Sequence, residues 1–225
     1  MAAPNCLVAN DWICWEYVRS RSQELTDATL QHVWITLVSV LIGVAVSVPL
    51  ALLARRGRRW AAPVLTVTTL LYTVPSLAMF SLLLPVFGLS AALVVTGLVL
   101  YSLTILVRNV LAGLEAVPEE VREAARGMGY GPGRLLWQVE LPLALPALLA
   151  GVRIATVSTV ALTTVGSIVG QGGLGNLIAP AVQSSFKAQV LTASVLCVLL
   201  ALAADLLLLG VQRLVTPWTR AAKGA

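Results

Sequence analysis

An all-α integral membrane protein is the fold class this sequence predicts, with five spans, the N-terminus outside and the C-terminus cytoplasmic. Three observations carry that reading. The first is composition: of 225 residues 58% are hydrophobic and 11% charged, and the mean hydropathy is +0.90. A soluble domain carries about 25% charge. The second is five apolar stretches, at about residues 29–54, 61–84, 91–107, 143–165 and 190–211. Each approaches or exceeds the roughly 20 residues a membrane helix needs. The third is a one-sided distribution of basic residues. Arg55, Arg56, Arg58, Arg59, Arg108, Arg122, Arg126, Arg134, Arg213, Arg220 and Lys223 fall on one side of the five-span arrangement, and Arg19, Arg21 and Lys187 on the other. The basic-rich side is cytoplasmic. The net charge of +5 is thus an insertion signal and not a nucleic-acid signal.

Residues 1–28 form an extracytoplasmic segment. No basic n-region opens the chain, and the first long apolar run begins near residue 30, so a cleaved secretory signal is not expected. Trp12, Ile13, Trp15 and Tyr17 suit the headgroup layer, where amphipathic rings prefer to sit. Cys6 and Cys14 are either a disulfide in an oxidising space or two free thiols. No His/Cys cluster exists, and His32 is the only histidine.

The first span, Thr29–Ala54, holds Pro49, which is expected to kink it unless it lies in the last, interfacial turn, and is followed at once by the four-arginine run. The second, Ala61–Leu84, carries Tyr72, Thr73, Pro75 and Ser76 near its middle. A mid-span proline frees a carbonyl that neighbouring hydroxyls can satisfy, so this is either a packing kink or a bend lining a pathway. The third, Ala91–Val107, ends at Arg108-Asn109. The fourth, Leu143–Val165, is crowded with small and hydroxyl residues, which favours close helix approach. Gly166 to Asn176 is glycine-rich. Its Gly170-x-Gly172-x-x-Gly175 spacing fits a dinucleotide fingerprint, but no strand precedes it and no acid follows at the required distance. A turn with close backbone packing is expected, with Gly172 and Gly173 as candidate gating positions. A partial outer helix, Leu174 to Phe186, is expected to break at Pro180. The fifth span is Val190–Val211, and residues 214–225 form a cytoplasmic tail.

Two charges fall inside spans. Arg153 lies about 15 Å from the cytoplasmic end of the fourth span, and Asp205 about 12 Å from that side in the fifth. Either they pair in the interior, or Arg153 snorkels to the surface and Asp205 bonds locally.

Residues 118–142 are polar where the rest is oily. Pro118 suits a helix start, Glu119 and Glu120 suit its first turn, and Val121, Ala124, Ala125 and Met128 make one apolar stripe. Gly127, Gly129, Gly131, Pro132 and Gly133 then end that helix, and a short amphipathic run, Leu135 to Val139, leads to Leu141-Pro142. Small residues on a contact face permit close approach by a partner.

Glu123-Ala124-Ala125, then Gly129, then Val139-x-Leu141-Pro142, follow the pattern EAA-x3-G-x9-[I/V]-x-L-P. In this the chain resembles the membrane subunit of binding-protein-dependent ABC importers over roughly residues 29–213. The resemblance implies the MetI-like, type I importer permease fold. It also implies that Glu119, Glu120, Glu123, Ala124, Ala125, Gly129, Val139, Leu141 and Pro142 form the coupling segment on a separate ATPase. Trp34 to Ser39, Thr73 to Ala78, Tyr101 to Asn109 and Gly170 to Gly175 make it most similar to permeases for glycine betaine, choline, carnitine and proline. The partners so implied are ABC ATPase subunits, an extracytoplasmic solute-binding protein and a second permease subunit, identical or paralogous, in a bacterial or archaeal cell membrane. No phosphate loop G-x-x-x-x-G-K-[ST] is present. The chain is therefore not expected to be an enzyme or to hold a cofactor, ATP and Mg belonging to the ATPase. An aromatic cage for a quaternary ammonium would lie in the binding protein. The alternatives are a permease of this family for another amino acid or small solute, and, from a different class, an ATP-independent secondary transporter or channel.

Overall fold

The computed structural model describes residues 5–218, and Arg220, Lys223 and the rest of the expected tail lie outside them. The described residues are helical, with no strand among them. Two short helices come first, α1 (Cys6–Ala9) and α2 (Trp15–Ser20), tied by a Cys6–Cys14 disulfide. Of the ring-bearing residues expected at the headgroups, Trp12 and Trp15 are exposed. Tyr17 is instead buried edge-to-face against Phe186, with centroids 5.4 Å apart. Burial raises the pKa of its phenol, the nearby Glu24 charge adding to the shift.

Helix α3 (Ser22–Ala54) is 33 residues long, about 50 Å at 1.5 Å per residue, more than a bilayer core requires. Pro49 lies within it and does not end it. The expected single second span is instead two helices, α4 (Arg58–Thr73) and α5 (Ser76–Phe87), bent by 101°. Proline forces this. Pro75 sits at ψ 138°, outside the helical region, and its ring pushes the preceding residue out of the α region as well. Among the described residues four helical segments are long and apolar enough to cross a membrane, and a fifth crossing exists if α4 and α5 form one broken span.

Helix α6 (Ala91–Glu115) runs past Arg108-Asn109, where the third span was expected to end. Asn109 lies within the helix and donates its side-chain amide to the Ile105 carbonyl one turn back, at 2.8 Å. The polar segment supplies α7 (Glu119–Gly127) and α8 (Pro132–Leu135), then a π turn, Leu136–Glu140, which runs directly into α9 (Leu141–Thr163). Leu141-Pro142 is therefore not a break. The wider π turn, in which the Leu141 N–H reaches back to the Leu136 carbonyl, comes just before Pro142 and absorbs its missing donor. A 3₁₀ turn, Thr164–Val169, leads to the glycine stretch, then α10 (Gly175–Gln183) and α11 (Lys187–Val215). Pro180 lies inside α10 and does not break it.

By packing, the described residues form two compact units. One comprises the residues up to Leu41, Val74–Val99 and Thr156–Ala204; the other comprises Ile42–Thr73, Leu100–Ala155 and the residues from Asp205 on. The first has two apolar clusters, around Ile35, Phe80, Leu93, Val94 and Leu98, and around Tyr17, Leu25, Leu177 and Ala188. The second has one, around Ala51, Val107, Val110, Leu114 and Ala144. Many other large apolar residues, such as Leu41, Leu82 and Leu206, face outward. In a lipid-facing protein that is where they belong.

Candidate functional site

The polar segment is built around α7. Pro118 is its N-cap, and Glu119 in the first turn accepts from Arg122 at 2.9 Å and from Arg126 at 2.8 Å. The Arg122 bond first, and then the Arg126 bond, hold the Glu119 carboxyl below its usual range. The C-terminus closes by a Schellman turn. The Tyr130 N–H bonds the Ala125 carbonyl at 3.1 Å and the Gly129 N–H bonds the Arg126 carbonyl at 2.9 Å. Gly129 at φ +83° supplies the left-handed residue this turn needs. The glycine of the sequence pattern thus has a backbone reason.

The expected stripe divides in two. Ala125 is buried within the chain, whereas Ala124 is exposed, as are Val121 at 37% and Met128 at 70%. Glu120 and Glu123 are exposed as well. One edge of α7 packs inward, and the other presents small and apolar side chains flanked by carboxylates. Val139 and Leu141 are partly buried, Leu141 against the apolar cluster, and Pro142 is exposed.

Sequence reasoning missed the ion cluster behind α7. Glu140, 1% exposed, accepts a two-point bond from Arg55 at 2.7 and 2.8 Å. Arg122 Nε lies 3.1 Å from the same carboxylate, and another Arg122 nitrogen donates to the Leu114 carbonyl at 2.6 Å. A buried carboxylate needs such partners, because losing one leaves an uncompensated charge. The available signal was a lone acid in the run Leu135 to Leu141, close to the turn after a helix ending in arginines. Beside this cluster lies a cavity of about 560 Å³, lined by Arg55, Arg56, Arg126, Tyr130 and Glu140 among others.

The remaining expected residues fall elsewhere. Arg153 and Asp205 form a two-point ion pair at 2.9 and 2.8 Å, both partly exposed. Gln212, not anticipated, joins them at 3.5 Å from Arg153 and donates to the Pro146 carbonyl at 3.1 Å. Tyr72, half exposed, sits edge-to-face with buried Tyr101 at 6.1 Å, and the Thr73 hydroxyl donates to the Leu70 carbonyl. Pro75 is exposed and Ser76 half-buried at the start of α5. Gly172 and Gly173 are buried. A Cβ on Gly173 would come within 2.6 Å of His32, and one on Gly172 would overlap Ser167. His32, fully buried, donates from Nε2 to the Val160 carbonyl at 2.9 Å and accepts the Leu174 N–H on Nδ1 at 3.3 Å. Next to it, Gln31 donates to the Gln171 side-chain oxygen and accepts from the Asn176 amide.

A family model described as the binding-protein-dependent transport system inner membrane component matches residues 35–221. The osmoprotectant import permease protein OsmW of Salmonella typhimurium is 35% identical over 206 residues, covering 89% of this chain and 96% of its own length. The glycine betaine/carnitine/choline transport system permease protein OpuCD of Bacillus subtilis is 35% identical over 188 residues, covering 83% of this chain and 82% of its own. Among solved structures, an inward-facing MetNI methionine ABC transporter chain superposes with a TM-score of 0.80 at 23% identity, covering 88% of this chain and 98% of that one. At that identity the likeness speaks for the fold. The chain therefore belongs to the inner-membrane component family of binding-protein-dependent transport systems, and is a permease subunit of an ABC importer.

Proposed function

We propose that this permease imports a compatible solute of the glycine betaine, choline, carnitine or proline kind, and that α7 couples it to a separate ATPase. The single observation that carries the substrate class is 35% identity, over most of both chains, to permeases named for osmoprotectant and for glycine betaine, carnitine and choline. The coupling role is supported by the exposed edge of α7, with Val121, Ala124 and Met128 outward and Glu120 and Glu123 beside them. The N-terminus is outside: a Cys6–Cys14 disulfide suits an oxidising space, and the arginines after α3 suit the cytoplasm. The pathway lies between this subunit and a second copy or a paralogue. A binding protein delivers the solute, and the ATPase holds ATP and Mg. ATPase closure moves the spans only if α7 binds its two states with different affinity.

Reconstitution with the ATPase and binding protein tests this. ATP-dependent uptake of radiolabelled glycine betaine or choline is expected in wild-type proteoliposomes. It is lost in Gly129→Asp and Glu123→Lys with the complex still assembled. ATP-driven uptake of a different solute would discard the substrate and keep the mechanism. Uptake indifferent to ATP and to both substitutions would discard the coupling.

A further inference from the structure

We propose that Glu140, clamped between Arg55 and Arg122, is the positioning residue that carries movement of α7 to the ends of α3 and α9, so that this triad sets how much solute each ATP moves. The inference rests on the functional reading above and assigns a role to a residue that the sequence pattern leaves free. Pattern and contact say different things at this point. The pattern specifies Val139, Leu141 and Pro142 and leaves the position between Val139 and Leu141 open. The structure buries the side chain at that position and gives both its oxygens to guanidinium groups.

Three features make this a link and not only a local support. Arg122 is a junction: it donates to Glu119 within α7 and to the Leu114 carbonyl in the last turn of α6, and its Nε stands in an ion pair 3.1 Å from Glu140. Arg55, immediately after α3, grips Glu140 through two parallel N–H···O bonds, which fix orientation as well as distance. Glu140 closes the π turn that feeds α9, and such turns place a side chain where a regular helix would not. A displaced α7 therefore either takes Arg122, Glu140 and Arg55 with it or breaks a buried ion cluster. Breaking leaves a charge without a partner, so the cluster has discrete arrangements and does not stretch gradually. The apolar contact of α7 through Ala125 offers no comparable directionality.

Uptake of radiolabelled choline and release of phosphate are measured in the same proteoliposomes holding this chain, its ATPase and its binding protein. Glu140→Gln and Arg122→Gln are each expected to lower choline taken up per ATP about tenfold while phosphate release continues. The double variant is expected to be no worse than the worse single, because one link is cut once. Arg122→Lys keeps the charge without the fork and recovers only part. Uptake per ATP within about twofold of wild type in both singles, or single defects that multiply in the double, would overturn the proposal. Should Glu140→Gln alone fail to assemble, Arg122→Gln, at a side chain less buried than Glu140, decides. Failure of both to assemble overturns it as well, since the triad then only holds the fold. Wild-type vesicles that hydrolyse ATP but import none of choline, glycine betaine, carnitine or proline would sink the functional reading and the triad's role with it. Normal wild-type uptake that Glu140→Gln leaves intact sinks the triad alone.

Discussion

The polar segment around α7 and the glycine stretch after α9 solve the same problem, holding irregular backbone in place, by opposite means. Around α7 the connections are ionic: Glu119 with Arg122 and Arg126, Glu140 with Arg55 and Arg122. Around Gly170–Asn176 they are neutral hydrogen bonds, several of them to Gln31 and His32 at the far end of the sequence. His32, Gln31, Gln171 and Asn176 take up the backbone and one another, and glycines let the chain close on His32. Buried irregular backbone is tolerated only when its polar groups are satisfied within the protein, and neutral bonds do this without the cost of burying a charge. The ion pairs leave α7 an exposed edge, and a charged group can exchange one partner for another. The glycine stretch is a packed joint, and α7 is a handle.

The comparison breaks first at the joint. Gly173→Ala places a Cβ against His32 at φ +55° and is expected to cost about 3 kcal/mol, read as lost monodisperse protein after extraction. His32→Leu leaves the Leu174 N–H buried without an acceptor and should cost about 2 kcal/mol in the same assay. Undiminished yields from both would mean the stretch is looser than its bonds suggest. The third test concerns charge within the spans. Asp205→Asn is expected to lower the melting temperature, and the exchange Arg153→Asp with Asp205→Arg to regain most of the loss; no regain over the single variants would show that the pair is incidental.

Effects at the handle are smaller in stability and larger in transport. Gly129→Ala meets no neighbour, so only the backbone strain at φ +83° counts, about 1 kcal/mol. A thermal shift should report it, and Gly129→Asn should be milder. The smallest effect is acidification. The Glu119 carboxyl is held below its ordinary value of 4.5, so its contribution is complete above that value and is lost as pH falls through the depressed one. Amide exchange at Arg122–Ala125 should be insensitive to pH-induced loosening between pH 8 and 5, once corrected for intrinsic rate, and should rise in stronger acid. Loosening already at pH 6 would assign the first turn to some other group.

Helix existence, the one-sided basic residues and the α7 segment are decided by the sequence itself, because they follow from runs and spacings along the chain. Apolar length makes α3 and α11 spans, Pro118 and the glycines bracket α7, and the pattern from Glu123 to Pro142 places the chain in its family. What proline does was not legible in the same way. Pro75 bends the chain by 101°, while Pro49, Pro142, Pro146 and Pro180 stay within or at the start of helices. The outcome depends on which neighbouring groups take up the freed carbonyl, as the π turn does before Pro142. Partner choice was likewise decided only in three dimensions. Arg55 and Glu140 stand 85 positions apart, His32 and Leu174 stand 142 apart, and Cys6–Cys14 was open between thiols and a disulfide. Sequence determines which groups need a partner when buried. Only the packing of distant helices determines which ones are buried, and which partner is within 3 Å.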